Sequence, residues 1–334
     1  LKPSHIVLPA IHVKREQVGE LFEKELGTEK GNSDPTYLTH AARKNLREKF
    51  LHAEAAMTGA NFAVASTGEI VVCTNEGNAD MGVSQPKLQI AAFGMEKIVP
   101  DRESLAVFTR LLARSATGQP VTTYTSHFRK PREGGEFHII IVDNGRSKIL
   151  ADRKHIKTLN CIRCGACMNI CPVYQHVGGH AYNSVYPGPI GAILTPQLIG
   201  AFDHHDPAST LPFASSLCGA CYDACPVKID IPNILVHLRH RYTEANRGGV
   251  PSIWDVGMKA AGTVMASGKG MKLVGSAMPV ARVVGGPSRK IGHIPLPMAK
   301  NWTFVRDVPA PPGQSFRSWW EDEHEKKSGK SEGE

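Results

Sequence analysis

Apolar residues in the first 150 positions recur with the periods of helices and of strands. Over Tyr37–Met57 they repeat at helical spacing, which predicts an amphipathic helix that stops near Gly59. Two short runs rich in strand-forming residues follow, Asn61–Ala65 and Glu69–Thr74. The Ser-Thr-Gly segment between these two runs predicts a hairpin.

Further strands and one helix are predicted up to residue 142. Lys87–Ala92 has the pattern of a strand, and Asp101 is a capping residue before an apolar-faced helix that ends at Gly118. Val121–Thr125 and Phe137–Val142 are also predicted to be strands. Strands that alternate with helices indicate an α/β domain, in which helices pack against a layered sheet.

The remaining sequence predicts two more parts, with domain boundaries at 1–151, 152–247 and 248–334. The middle part has helical patterns such as Pro232–Ala245. In the third part, the amphipathic segment Met258–Val284 and the late aromatic residues suit docking to a partner subunit. Any membrane contact of this segment would be peripheral at most. The last dozen residues, EHEKKSGKSEGE, predict a disordered tail.

Composition narrows the class of protein. The chain of 334 residues is 41% hydrophobic and 21% charged, as in ordinary globular proteins. No apolar run reaches the roughly 18 residues of a membrane-spanning helix. The net charge of +8 suits an anionic partner, but no nucleic-acid-binding motif accompanies it, so we expect no nucleic acid partner. Leu1 begins the chain without a signal-peptide pattern, and we expect a cut within a longer cytoplasmic protein.

Seven of the eight cysteines fall in two short groups. These are Cys161-x2-Cys164-x2-Cys167-x3-Cys171-Pro172 and Cys218-x2-Cys221-x3-Cys225-Pro226. Clustered CxxC spacing without a secretory signal favours metal ligation over disulfides, and such thiolates stay reduced in the cytoplasm. A zinc site closes with four ligands from two short motifs, and it has no use for a three-cysteine run followed by Cys-Pro. The doubled motif therefore predicts two iron–sulfur clusters.

The Cys-Pro pattern also predicts which cysteines share a cluster. In two-cluster ferredoxins the cysteine before proline ligates the cluster of the other motif. The predicted ligands are Cys161, Cys164, Cys167 and Cys225 for the first cluster, and Cys171, Cys218 and Cys221 for the second.

The second cluster is one thiolate short, because Ser215 stands where a complete repeat has its first cysteine. Three explanations are open. The second cluster is a [3Fe-4S] form that needs three thiolates, or a [4Fe-4S] form whose fourth ligand is water or Ser215, or a [4Fe-4S] form with an open iron that binds substrate. We favour two [4Fe-4S] clusters, the second with a non-cysteine ligand or an open position.

Several segments resemble the lactate utilisation protein B family, the iron–sulfur subunits of bacterial L-lactate oxidation. The cysteine region contributes CIRCGACMNICPVYQHVGGHAYNSVYPGPIGAILTP and LPFASSLCGACYDACPVKIDIP. Upstream, TGANFAVASTGEIVVCTNEGN resembles the lactate-utilisation (LUD) domain of that family, and downstream RDVPAPPGQSFRSWW resembles its C-terminal extension. The likeness runs almost from end to end, and the first part of the LUD domain is expected to be missing.

This resemblance implies a fold and a function. The LUD domain is similar to the α/β folds of sugar-phosphate isomerases and CoA transferases, and it precedes an α-helical dicluster ferredoxin domain. The family implies an electron-transfer subunit of a complex that oxidises L-lactate to pyruvate, with lactate utilisation proteins A and C as partners. A GxGxxG fingerprint is absent from the sequence, so we expect no NAD-dependent reaction. The chain alone is not expected to turn over lactate.

Two other functions remain open at this stage. The same electron relay could serve another 2-hydroxy acid, or the clusters could belong to a non-catalytic redox regulator. The doubled Cys-Pro motif favours electron transfer. A weaker candidate is Glu76, which follows a predicted strand among turn residues. In the related α/β folds such a loop borders the ligand pocket, so Glu76 is a candidate for substrate contact or proton transfer.

Overall fold

The structure is a computed structural model that describes residues 2–203, 205–248, 253–284, 287, 290–292, 294, 300 and 303–331. The chain forms two compact units, residues 1–247 and residues 248–334. The first unit contains both the predicted α/β part and the predicted cysteine part.

Helices and strands alternate in the first part of the first unit. In chain order they are α1 (Arg15–Leu26), α2 (Pro35–Leu51), β1 (Ala55–Thr58), β2 (Phe62–Val64), β3 (Glu69–Thr74), α3 (Asn78–Ser84), β4 (Leu88–Gly94), a 3-10 helix (Met95–Lys97), β5 (Ile98–Val99), α4 (Arg102–Thr117), β6 (Tyr124–Phe128), β7 (Glu136–Val142) and α5 (Arg146–Ala151). This α/β content agrees with the predicted fold class.

The strands form two sheets. β1, β4 and β7 form a parallel sheet with β4 in the centre, and β5, β2, β3 and β6 form a mixed sheet in that order. β2 and β3 pair antiparallel, with Phe62 opposite Val71, which confirms the predicted hairpin. Helix α4 begins after Asp101, whose side chain accepts a hydrogen bond from the Ser104 N–H, and ends at Gly118 as predicted.

Two predicted boundaries are wrong. The helix expected over Tyr37–Met57 ends at Leu51, and Ala55–Thr58 instead form strand β1. The helical pattern of these residues is outweighed by their backbone hydrogen bonds with β4. This parallel pairing makes β1 the third strand of the sheet. The strand expected over Val121–Thr125 begins only at Tyr124 and continues to Phe128, where it pairs with β3.

The cysteine part of the first unit is helical. Its elements are a 3-10 helix (Ile156–Asn160), α6 (Ala166–Asn169), α7 (Pro172–Val177), a 3-10 helix (His180–Tyr182), α8 (Gly188–Ile199), a 3-10 helix (Pro207–Phe213), α9 (Ala220–Ala224) and α10 (Ile231–Ala245). Ile190 and Ile193 of α8 and Leu235 and Leu238 of α10 are buried in one apolar core. Cys167, Cys221 and Cys225 belong to the same core.

The α/β part and the cysteine part also share a core. Ile162 and Cys164 of the first cysteine loop are buried with Phe62 and Val71 of the mixed sheet and with Leu112 of α4. The first cysteine loop is thus held between the two parts, with its cysteines shielded from water on the sheet side.

Among the described residues of the second unit, helices α11 (Ile253–Met265) and α12 (Gly268–Val284) precede a short antiparallel pair of β8 (Lys290–Ile291) with β9 (Val308–Pro309). A last helix, α13, spans Phe316–Ser331 and includes much of the segment predicted to be a disordered tail. The tail sequence is rich in Glu and Lys, which are strong helix formers. Across the described part of the chain, no helix is long and apolar enough to cross a membrane.

The buried carboxylate of Glu69 ties strand β3 to helix α4. Its side chain has no exposed surface, and it accepts hydrogen bonds from Arg102 Nε at 3.0 Å and Arg102 Nη2 at 2.7 Å. His127 Nδ1 lies 3.5 Å from the same carboxylate. The Arg102 hydrogen bonds, more than any other contact, hold the pKa of Glu69 below its usual value.

We expect Glu69→Gln to lower the free energy of unfolding at pH 7 by roughly 1.5–3 kcal/mol, the value of hydrogen bonds to a charged group. Because the folded-state pKa is depressed, this stabilisation is complete above the unfolded-state pKa and disappears as the pH falls through the folded-state pKa. Urea denaturation of both proteins at neutral pH and at about pH 3 measures the difference. Glu20→Gln, at an exposed carboxylate on α1, is the control. Equal stability of Glu69→Gln and the parent at neutral pH would contradict this prediction.

Candidate metal centre

The first cysteine loop owes its shape to two residues with left-handed backbone. Arg163 has φ 65° and Gly165 has φ 79°, and helix α6 starts directly after the glycine. These turns reverse the chain between successive cysteines. Left-handed backbone at a non-glycine residue such as Arg163 is costly, and strain of this kind concentrates at functional sites.

The second cysteine loop repeats this backbone. Leu217 has φ 56° and Gly219 has φ 85°, and helix α9 starts directly after the glycine. Leu217 and Gly219 therefore match Arg163 and Gly165. In this correspondence Ser215 occupies the position of Cys161.

Three cysteines of the first motif and the last cysteine of the second motif face a common cavity. The cavity is small, with a volume of about 20 Å³. Its cysteine lining is Cys161, Cys164, Cys167 and Cys225. Apolar side chains, including Ile190 and Ile229, form most of the remaining wall. The structure thus brings together the four residues predicted for the first cluster.

Burial and mutual repulsion act on these thiols. Burial raises the pKa of Cys164 to about 11, with a contribution from the negative charges of Cys161 and Cys225. Burial raises the pKa of Cys167 as well, and the charge of Cys161 adds to the effect. A thiol with a raised pKa is protonated at neutral pH in the absence of metal. A bound metal displaces this proton and is coordinated by the thiolate.

The second group of thiols gathers around Cys221. Burial raises the pKa of Cys221 to about 11, and the negative charges of Cys171 and Cys218 contribute. Cys218 is exposed, and a hydrogen bond from the Ala220 N–H, followed by one from the Ser216 hydroxyl, lowers its pKa. The three cysteines predicted for the second cluster are therefore neighbours in the structure.

The two serines before Cys218 have different contacts. Ser215 Oγ accepts a hydrogen bond from the Leu217 N–H at 3.1 Å, and its carbonyl accepts one from Arg239 Nη2 at 3.0 Å. The serine that contacts the Cys218 sulfur is Ser216, which has no distinguishing signal in the sequence. Ligation by Ser215 stays a prediction.

Two buried polar atoms beside the cysteines have no hydrogen-bond partner among the described residues. They are Tyr182 Oη and Arg163 Nη1. Tyr182 is 4% exposed, and burial, followed by the charge of Cys171, raises its pKa to about 12. A negative charge on Cys161 stabilises the buried guanidinium of Arg163.

These unpartnered donors indicate that the site accommodates acceptors beyond the protein atoms, as the sulfides of an iron–sulfur cluster would be. Within the described ranges, no three His, Cys, Asp or Glu side chains are grouped so that they could hold a single metal ion. The four sulfurs of the first group surround a cavity, and that arrangement fits a multi-iron group.

Glu76 lies in a different and larger cavity of about 900 Å³. Its wall also includes Lys49, Asn61, Cys73 and Thr122. Glu76 is exposed, and one of its carboxylate oxygens accepts a hydrogen bond from the Asn75 N–H at 3.3 Å. The volume lies within the range of roughly 300–1,000 Å³ that is usual for small-molecule sites.

The two cavities are neighbours. Arg163 and Ile6 line both the Glu76 cavity and the cavity of the first cysteine group. A small molecule bound beside Glu76 would thus be separated from the first group by a wall that includes these two side chains. This proximity has no signal in the sequence, because Glu76 and the cysteine loop are distant along the chain.

Comparison with known families agrees with this architecture. The LUD domain family matches residues 3–149, and the 4Fe-4S dicluster domain family matches residues 157–229. The chain is therefore an iron–sulfur protein in which a LUD domain precedes a 4Fe-4S dicluster domain.

Curated relatives narrow the class to one family. Lactate utilization protein B of Bacillus cytotoxicus is 46% identical over 331 residues, which cover 97% of this chain and 68% of the relative. The protein of the same name from Bacillus thuringiensis is 46% identical over 329 residues, or 96% of this chain and 67% of the relative. The chain belongs to the lactate utilization protein B family, which confirms the resemblance found in its sequence. No solved structure matches the chain significantly.

The unpartnered Tyr182 hydroxyl allows a test of whether the cysteine site fits an iron–sulfur cluster. We expect Tyr182→Phe to leave the thermal stability of the metal-free chain unchanged or slightly higher, because it removes a buried group without a partner. In the iron-loaded chain we expect one cluster to have a lower reduction potential, because a hydrogen bond to sulfur is lost. A neutral hydrogen bond worth about 1 kcal/mol corresponds to a shift on the order of 40 mV. Redox titration followed by EPR measures the shift. Identical reduction potentials in Tyr182→Phe and the parent would contradict a hydrogen bond from Tyr182 to the cluster.

Proposed function

We propose that this chain is the electron-transfer subunit of a complex that oxidises L-lactate to pyruvate, with two iron–sulfur clusters held by its seven clustered cysteines. The observation that carries the proposal is the pair of cysteine loops with matching backbone, in which the last cysteine of each motif lies with the other group. The name of the relatives, lactate utilization protein B, supports the substrate. Lactate utilisation proteins A and C are the proposed partners, and the cytoplasm is the proposed location.

The proposed ligand sets follow the two groups. The first [4Fe-4S] cluster is held by Cys161, Cys164, Cys167 and Cys225, and the second by Cys171, Cys218 and Cys221 with Ser215 or water at the remaining position. When bound, such clusters supply one-electron transfer. The protein contributes the ligands and an apolar core around them, and it excludes water from five of the seven sulfurs. These five, each in a buried cysteine, are those of Cys164, Cys167, Cys171, Cys221 and Cys225.

Two clusters suit the proposed reaction. Oxidation of L-lactate to pyruvate releases two electrons and two protons, so a carrier with two one-electron sites can hold the electron pair of one turnover. In the second unit, Phe316, Trp319 and Trp320 are exposed and contact one another, which suits docking to a partner subunit.

The crossed ligand sets can be tested with four single substitutions. We expect Cys164→Ala and Cys225→Ala to give the same residual EPR spectrum, because both residues are assigned to the first cluster. Cys221→Ala and Cys171→Ala should give a second, different residual spectrum. Each variant should contain less iron than the parent, by up to about four atoms per chain.

Cys73→Ala is the matched control. Cys73 is a half-buried cysteine of strand β3 outside both groups, so this variant should keep both spectra. If Cys225→Ala instead gave the residual spectrum of Cys221→Ala, the ligands would not cross and the assignment would be wrong.

We also propose that the Glu76 cavity binds the substrate and that Glu76 accepts its hydroxyl proton. The position of a carboxylate in a cavity that shares a wall with the first cysteine group supports this role. A substrate in this cavity would lie close to an electron acceptor held by the same chain.

In the assembled complex, we expect Glu76→Gln to reduce the rate of lactate oxidation by roughly 10²–10⁴-fold, the usual contribution of a general base. Iron content and EPR spectra should not change, because Glu76 is not among the cysteine-cavity residues. Glu20→Gln, which removes a carboxylate from the exposed face of α1, is the control. Full activity of Glu76→Gln would rule out the proposed base.

A further inference from the structure

Four charged side chains meet at the boundary between the LUD domain and the first cysteine loop. We call Glu96, Lys97, Arg146 and Arg163 the charged cluster. Glu96 and Lys97 lie on the 3-10 helix after β4, Arg146 begins α5, and Arg163 lies between Cys161 and Cys164. Three members thus come from the LUD domain, and one comes from the cysteine loop.

Glu96 is the centre of the charged cluster. One of its carboxylate oxygens accepts a hydrogen bond from Arg146 Nε, and the other accepts one from Arg163 Nη2 at 2.9 Å. The side chains are almost fully buried, with exposed fractions of 2% for Glu96, 7% for Arg146 and 11% for Arg163. Gly94 allows this packing, because a Cβ there would clash with both Glu96 and Arg146. The geometry of the charged cluster is therefore closely constrained.

The charges of this cluster do not balance. One carboxylate faces two guanidinium groups and the half-buried ammonium of Lys97, so full ionisation leaves an excess of two positive charges. Burial lowers the pKa of Lys97 to about 8, and the charge of Arg163 contributes. The exposed carboxylate of Asp143 interacts with the charge of Arg146 and also accepts hydrogen bonds from Ser147. Unbalanced charge at a buried site is costly unless a counter-charge lies close by.

The first cysteine group is in place to supply that counter-charge. The charge of Cys161 acts on both Arg163 and Lys97, and Cys161 shares a cavity wall with each of them. Glu96, Lys97 and Cys161 line one further cavity. An iron–sulfur core with four thiolate ligands is an anion, because the thiolate charges exceed the charge of the core.

The second cysteine loop is arranged differently, since Arg239 donates a hydrogen bond to its backbone at the Ser215 carbonyl. Leu217, which matches Arg163 in backbone conformation, is apolar. The first and second groups thus have the same loop geometry and different electrostatic surroundings.

We propose that the charged cluster raises the reduction potential of the iron–sulfur cluster held by Cys161, Cys164, Cys167 and Cys225, so that the LUD domain sets the potential of one relay site. Reduction adds a negative charge to an anionic site, and nearby buried positive charge stabilises the reduced form. The inference rests on the proposed function, since it requires the first cluster to be present.

The test is a redox titration of this chain, purified without oxygen and followed by EPR, in variants that change the charge in opposite directions. Lys97→Met removes a positive charge and should lower the midpoint of the first cluster. We expect about a tenfold lower ratio of reduced to oxidised cluster at a fixed potential, which corresponds to 59 mV for one electron. Glu96→Gln removes the negative charge and should shift the midpoint upward. Lys97→Arg keeps the charge and should leave the midpoint near that of the parent.

Two further variants make the result specific. Arg163→Leu gives the first loop the residue that the second loop has as Leu217, and it should lower the midpoint of the first cluster more than that of the second. Lys87→Met removes one exposed positive charge outside the cysteine cavities and should shift neither midpoint.

Opposite shifts in Lys97→Met and Glu96→Gln support the inference, because general loosening of the site would not depend on the sign of the charge. If Glu96→Gln does not fold, the midpoints of Lys97→Met and Lys97→Arg still test whether the charge of Lys97 raises the potential of the first cluster. Clusters that load normally with an unchanged midpoint in both Lys97→Met and Arg163→Leu would overturn the inference and leave the proposed function intact. A parent chain without iron would overturn both.

Discussion

The burial of Ile162 and Cys164 in the core of the mixed sheet is the contact on which the site depends. It places the first cysteine loop against the LUD domain and fixes the position of Cys161, Cys164 and Cys167 around their cavity. It also brings Arg163 to Glu96 and to the wall of the Glu76 cavity. A LUD domain and a dicluster domain joined by a mobile linker would have none of these contacts. The shared core therefore explains why the two form one compact unit.

The two cysteine loops share a backbone conformation and differ in their side chains. The two loops have the same backbone, with left-handed residues before and after the second ligand position, so each directs its cysteines inward. The differences lie in the side chains, since Ser215 replaces Cys161 and Leu217 replaces Arg163. The first group consequently lies beside charged side chains of the LUD domain, whereas Cys218 of the second group is exposed. Two sites with the same construction can in this way have different redox properties.

Features encoded by neighbouring residues could be predicted from the sequence. The capping residue Asp101, the hairpin of β2 and β3 and the spacing of the cysteines are local signals, and the structure contains the helix, the hairpin and the two cysteine groups. Strand β1 was missed because its conformation depends on pairing with β4, which follows some thirty residues later. The charged cluster has no sequence signal, because Glu96, Arg146 and Arg163 meet only after both domains have folded.

The central claim is that this chain holds two iron–sulfur clusters, and iron and sulfide analysis combined with EPR after anaerobic purification tests it most directly. The account predicts about eight iron atoms per chain and, after reduction with dithionite, the spectrum of two interacting cubane clusters. About seven iron atoms with a signal in the oxidised state would make the second cluster a three-iron form and remove the need for a ligand at Ser215. Zinc in place of iron, or a single cluster, would contradict the claim.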